Sequence, residues 1–60
     1  MEKLLTAICF NKDNKAFKYR RIINRLGSIE NFENFLRSKN IIYVNYYDKE
    51  TKKFIKQRKL

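Results

Sequence analysis

Sixty residues carry no histidine, no proline, one glycine and one cysteine, Cys9. With a single thiol, no intrachain disulfide can form. Without histidine, a zinc site loses its usual nitrogen ligand, and acid–base chemistry loses the side chain that titrates nearest neutrality. One glycine leaves no glycine-rich loop to cradle a phosphate chain. No apolar run approaches the roughly 18–20 residues that span a bilayer. The apolar segment from Leu4 to Phe10 has only Lys3 as a positive charge before it. It is followed by "NKDNK" rather than a small-residue cleavage site, so it reads as a strand and not as a secretory signal. A lone thiol without an export signal fits a reducing cytoplasm. Lysine, asparagine and isoleucine are abundant while alanine is scarce. That bias goes with AT-rich coding, as in a phage, another mobile element or a low-GC bacterial host.

What is present suffices for one small domain. Hydrophobic residues make up 43% of the chain and nine residues are aromatic, which argues against intrinsic disorder. At this length folding buries only about 60% of the surface that an unfolded chain exposes, so stability is marginal. Disulfides and metals are the common supplements, and the composition offers neither. A compact core is left to do the work, with a second copy as one possible supplement.

Alternation of side chains predicts a first strand at about 2–10. "NKDN" at Asn11 to Asn14 supplies residues that tolerate left-handed backbone, hence a hairpin turn into a second strand at about 15–23. The period then changes. Ile29, Phe32, Phe35 and Leu36 form one helical stripe, predicting a helix over about 29–39. Ser28 stands where an N-cap oxygen is wanted, Glu30 and Glu33 in or near the first turn, Arg37 and Lys39 in the last, and Asn40 at a left-handed stop. "IIYVNYY" predicts a third strand at about 41–47, "DKET" a turn, and "KKFIKQRKL" a fourth strand at about 53–58. The order is ββαββ: an α+β domain in which one helix packs on one face of an antiparallel four-stranded sheet.

The formal charge of +9 is unevenly spread. Residues 1–10 and 26–40 are each neutral, 11–25 carry +5 and 41–60 carry +4, so the excess belongs to the hairpins and none to the helix. Alternation sends Ile8, Phe10, Phe17, Tyr19, Ile42, Val44, Tyr46 and Ile55 towards the helix. The opposite face then holds Ala7, Cys9, Lys18, Arg20, Tyr43, Asn45, Tyr47, Lys56 and Arg58. Exposed rings stack bases while cations follow phosphates, so this pattern points to single-stranded nucleic acid. Arg20, Arg21 and Arg25 add the planar fork that matches phosphate. The same residue types mark hot spots in protein interfaces. An inhibitor or adaptor of phage or plasmid type, docking on an acidic host protein through this face or a sheet edge, is therefore the alternative. Pairing of exposed edges into a homodimer fits either reading.

No catalytic constellation is expected. Cys9 lies mid-strand between Ile8 and Phe10 as a buried, inert thiol, and the helix start accounts for Glu30 and Glu33 without a metal ion. Phe32, Phe35 and Leu36 are needed for the core rather than for docking a partner helix. No cofactor is implied, and the neutral helix lacks the basic face of a membrane-surface helix.

Overall fold

The computed structural model describes residues 3–60 and has the ββαββ order. Strand β1 is Leu4–Asn11, β2 Ala16–Ile23, helix α1 Leu26–Ser38, β3 Ile41–Asp48 and β4 Phe54–Lys59. The predicted start of the first strand at Glu2 lies outside the described residues. All strand pairs are antiparallel in the spatial order β2-β1-β3-β4, so β1 and β3 are central and β2 and β4 are edges. The helix crosses one face and leaves the other bare, a two-layer body whose shortest extent is 15 Å.

The turns form as the asparagines and aspartate dictate. Asn11 Oδ1 accepts from the Asp13 and Lys15 N–H groups, while Asn14 takes the left-handed conformation at φ 64°. In the second hairpin Asp48 Oδ1 accepts from the N–H groups of Glu50 and Thr51, and Lys52 is left-handed at φ 62°. Asn40 ends the helix at φ 63°, its N–H donating to the Arg37 carbonyl, the expected stop.

The helix start differs from expectation. Arg25 occupies the N-cap position with extended backbone and no side-chain capping bond, so Ser28 lies inside the helix and no acid occupies the first turn. Starting the helix at Leu26 turns Glu33 into a mid-helix residue on the buried side, 3% exposed.

The core consists of Leu5, Ala7 and Cys9 on β1, Ile41, Val44 and Tyr46 on β3, and Ile29 and Leu36 on the helix. Phe17, Tyr19, Ile22, Phe32 and Leu60 close around it. This corrects the face expected of β1. Ala7 and Cys9 are fully buried under the helix, and Ile8 and Phe10 stand on the bare face. The physical reason is room. Ala7 is flanked by Tyr19 on β2 and Tyr46 on β3, and Phe32 makes edge contacts with both tyrosines at ring separations of 5.5 and 6.4 Å. A small side chain beneath that ring lets the helix sit down on the sheet; isoleucine or phenylalanine there would hold it off.

Two further corrections come from β-bulges. Opposite the single residue Asn11–Phe10 step, β3 carries an extra residue, so Ile41 rather than Ile42 enters the core and Ile42 is exposed. A shift between Tyr46 and Tyr47 does the same on β4, where Ile55 is exposed instead of buried. A third bulge sets Arg20 and Arg21 against Thr6 alone, with Arg21 left-handed at φ 64°. It allows both Tyr19 and Ile22 to face the helix although they differ in parity.

Candidate functional site

The bare face is built from alternate residues of the four strands. On β1 these are Thr6, Ile8 and Phe10; on β3 they are Tyr47, Asn45 and Tyr43, each opposite its β1 partner in that order. Lys18 of β2 stands beside Ile8, and Arg20 follows it along the same side up to the bulge. On β4, Phe54, Gln57 and Lys59 pair with Tyr47, Asn45 and Tyr43.

Two aromatic pairs rise from this surface. Phe10 and Tyr43 stack across β1 and β3 with ring centroids 4.8 Å apart and planes 17° from parallel. Tyr47 and Phe54 meet edge to face across β3 and β4 at 5.6 Å. Tyr43 and Tyr47 are four residues apart on one strand, so the two pairs are separated by about 13 Å. Stacking leaves the outer face of Phe10 and of Tyr43 free of the other ring. Between the pairs lies Asn45, whose Oδ1 is buried and has no hydrogen-bond donor among the described residues.

Beside Tyr47 the face dips into a hollow of about 480 Å³. Thr6 and Ile8 line its floor, Lys18 and Arg20 reach it from β2, and Lys49 and Lys52 reach it from the β3–β4 turn together with Asp48. Among the described residues Asp48 is the one carboxylate lining it. The N–H groups of Thr51 and Glu50 donate to it and hold its pKa below the ordinary 3.8, so it stays ionised but committed to its turn.

The helix side treats its cations differently. Lys56 and Arg58, expected on the bare face, pair with Tyr46 and Val44 and therefore point to the helix side. Arg58 donates from Nε to Glu33 Oε2 at 3.2 Å and from Nη2 to Oε1 at 3.3 Å, and the Tyr46 hydroxyl donates to Oε2 at 2.9 Å. Lys56 Nζ lies 5.6 Å from the centre of the Tyr46 ring. β4 runs beyond the edge of the helix, so its inner side meets the polar helix flank rather than the apolar core. That is why a basic strand face can turn inward here.

Burial is the largest influence on Glu33 and by itself raises its pKa. The hydrogen bonds from Arg58 and Tyr46, with the charges of Arg58 and Arg37, outweigh it and bring the carboxyl below its ordinary 4.5. Burial and the adjacent Glu33 push the Tyr46 phenol well above 10. Lys15 and Lys39 are likewise taken up, over the rings of Phe17 and Phe35 at 5.5 and 5.7 Å. By contrast, among the described residues no ion pair or ring contact engages Lys18, Arg20, Lys49, Lys52 or Lys59. Lys15, Lys39, Lys56 and Arg58 are thus engaged within the protein, whereas these bare-face cations are not.

Of the residues proposed from sequence, Lys18, Arg20, Tyr43, Asn45 and Tyr47 share the bare face. Arg21 is the left-handed residue of the bulge, and Arg25 occupies the N-cap position of the helix. Ala7, Cys9, Lys56 and Arg58 belong to the other side. Phe10, Phe54, Lys49, Lys52 and Lys59 were missed. For Phe10 the signal that could have found them was the small size of Ala7 and Cys9, which marks the strand face nearest a helix. Burial raises the Cys9 thiol from an ordinary 9.0 to about 11, leaving it protonated at neutral pH. Among the described residues no helix is long and apolar enough to cross a membrane. No protein-family model, curated protein or solved structure matches the chain.

Proposed function

We propose that this protein is a small, non-catalytic binder of single-stranded nucleic acid that uses the sheet face left bare by its helix, in a cytoplasmic setting. One observation supports the reading: four aromatic rings, Phe10, Tyr43, Tyr47 and Phe54, stand on that face among cations without ion-pair or ring partners among the described residues, while Arg58 is held by Glu33 and Lys56, Lys15 and Lys39 by aromatic rings. Bases stack on the rings and phosphates run past Lys18, Arg20 and Lys59, an arrangement that discriminates little between sequences.

Titration of a labelled single-stranded oligonucleotide at several salt concentrations tests it. The logarithm of affinity falls with log salt at about −0.7 per phosphate neutralised. Tyr43→Ala or Tyr47→Ala weakens binding by about 1–3 kcal/mol for each stacked base lost and leaves the slope unchanged. Lys18→Ala or Arg20→Ala makes the slope shallower, while Lys56→Ala, on the other side, leaves it alone. Affinity that ignores salt, or no binding at low salt, refutes the proposal.

An acidic host protein is the competing partner, favoured by Phe54 and Ile55, which are exposed on the β4 edge. Capture from a host lysate before and after nuclease treatment separates the two, because a stoichiometric protein that survives nuclease supports the second. A homodimer by β4–β4 pairing would bring Lys56, Arg58 and Lys59 of two copies together, and β2–β2 pairing would do the same for Lys18, Arg20 and Arg21. Like charges at an edge oppose such pairing, so an acidic strand fits these edges better than a second copy.

A further inference from the structure

The hollow beside Tyr47 differs from the rest of the bare face in concentrating charge at one point. Among the described residues Lys18, Arg20, Lys49 and Lys52 surround it with Asp48 as the one carboxylate, and that carboxylate is already held by two N–H groups of its own turn. An internal phosphodiester carries a single negative charge and needs neighbours spaced along a groove. A phosphate monoester carries nearly two charges and offers three strong acceptor oxygens in one place.

The cations are also carried on fixed backbone. The Asp48 and Lys53 ends of the turn are joined by an N–H to carbonyl bond of 2.9 Å, and the Lys52 N–H donates to the Asp48 carbonyl at 2.8 Å. The Lys49 N–H donates to the Leu4 carbonyl at 3.1 Å, tying the turn to β1. Arg20 is set by the bulge, and its guanidinium offers the fork that takes two oxygens of one phosphate. The Thr6 hydroxyl lies on the floor as a further donor. Tyr47 at the rim supplies a ring beside the seat.

We propose that this hollow seats a terminal phosphate of a single strand, with the adjoining base against Tyr47, so that the protein prefers phosphorylated strand ends to internal sites. The proposal rests on the nucleic-acid reading of the bare face and adds a direction to it: the chain enters at the turn and runs towards Phe10 and Tyr43.

The experiment measures anisotropy of one oligonucleotide sequence bearing a 5′-phosphate, a 3′-phosphate or hydroxyls at both ends, at one salt concentration. One phosphorylated form binds at least about tenfold tighter than the hydroxyl-ended form, the order of one or two charge-assisted hydrogen bonds. The double variant Lys49→Gln, Lys52→Gln erases that ratio, whereas Lys12→Gln, Lys56→Gln, equal in charge lost but outside the hollow, retains it. If strands bind equally well whatever their ends, or the two double variants behave alike, the terminal-phosphate seat is overturned while the interface reading stands. A second arm adds inorganic phosphate and follows backbone amide resonances. Saturable shifts confined to Thr6, Tyr47 and Lys49, lost in Lys49→Gln, Lys52→Gln, without any strand binding, support the seat and overturn the strand. No localised response in either arm overturns both.

Discussion

Tyr46→Phe is a small change with a consequence that the buried cluster makes calculable. The ring stays, so no cavity forms and the fully buried apolar surface is unchanged. What disappears is the hydroxyl that donates to Glu33 Oε2 at 2.9 Å, inside a site where the carboxylate is 3% exposed. A hydrogen bond to a buried charged acceptor is worth about 1.5–3 kcal/mol. Glu33 keeps its bonds from Arg58, which places the loss near the lower end, at about 1.5 kcal/mol. A domain of this size has only about 3–5 kcal/mol of stability to draw on, and each kcal/mol lowers Tm by about 4–8 °C. The expected fall is therefore about 6–12 °C at neutral pH, read by circular dichroism during thermal unfolding.

The pH dependence carries a second check. The folded-state pKa of Glu33 lies below its ordinary 4.5, so its contribution is fully present above that value and is lost as pH falls through the lowered one. Removing the phenol lifts the folded pKa, because burial is then opposed by fewer partners. The gap between the native protein and Tyr46→Phe consequently narrows as the pH is stepped down below about 4.5. A fall in Tm of less than about 2 °C at neutral pH, or a gap indifferent to pH, would refute the account of this cluster.

Ala7→Leu forces a larger side chain beneath the Phe32 ring and is expected to cost about 1–3 kcal/mol by overpacking, measured as a lower urea midpoint; an unchanged midpoint means the helix does not sit where described. Cys9, fully buried and with its thiol raised to about 11, reacts with an aromatic disulfide reagent at mildly alkaline pH only as fast as the domain opens. Its raised pKa also adds stability that is complete below 9.0 and is lost as pH climbs towards 11, so Cys9→Ala flattens the alkaline limb of the stability profile.

Much of the architecture is legible from local signals. Asn11, Asn14, Asp48 and Asn40 announce their turns because their side chains bond to nearby backbone and tolerate positive φ, properties that do not depend on distant contacts. The third strand is as plain from Tyr43 onward, where Tyr43, Asn45 and Tyr47 fall on one side and Val44 and Tyr46 on the other, but the bulge before it reverses Ile41 and Ile42. Summed apolar bulk misleads on the first strand. Ile8 and Phe10 outweigh Ala7 and Cys9, yet a central strand under a helix selects for fit, and the larger side chains go to the uncovered side. Glu33 is misread for a related reason, since a carboxylate near a helix start satisfies the dipole rule without reference to Arg58 or Tyr46, residues that only folding brings to it.

Order of elements, sheet-plus-helix class and the confinement of positive charge to the hairpins are properties of the chain read linearly. They follow from side-chain periodicity and composition, which each segment carries with it. Which side of β1 is covered, which β4 cations are neutralised and which four gather around one hollow were decided by tertiary packing. Bulges of one residue invert the faces of everything beyond them, and their positions answer to the shape of the space under the helix, a quantity no local window contains.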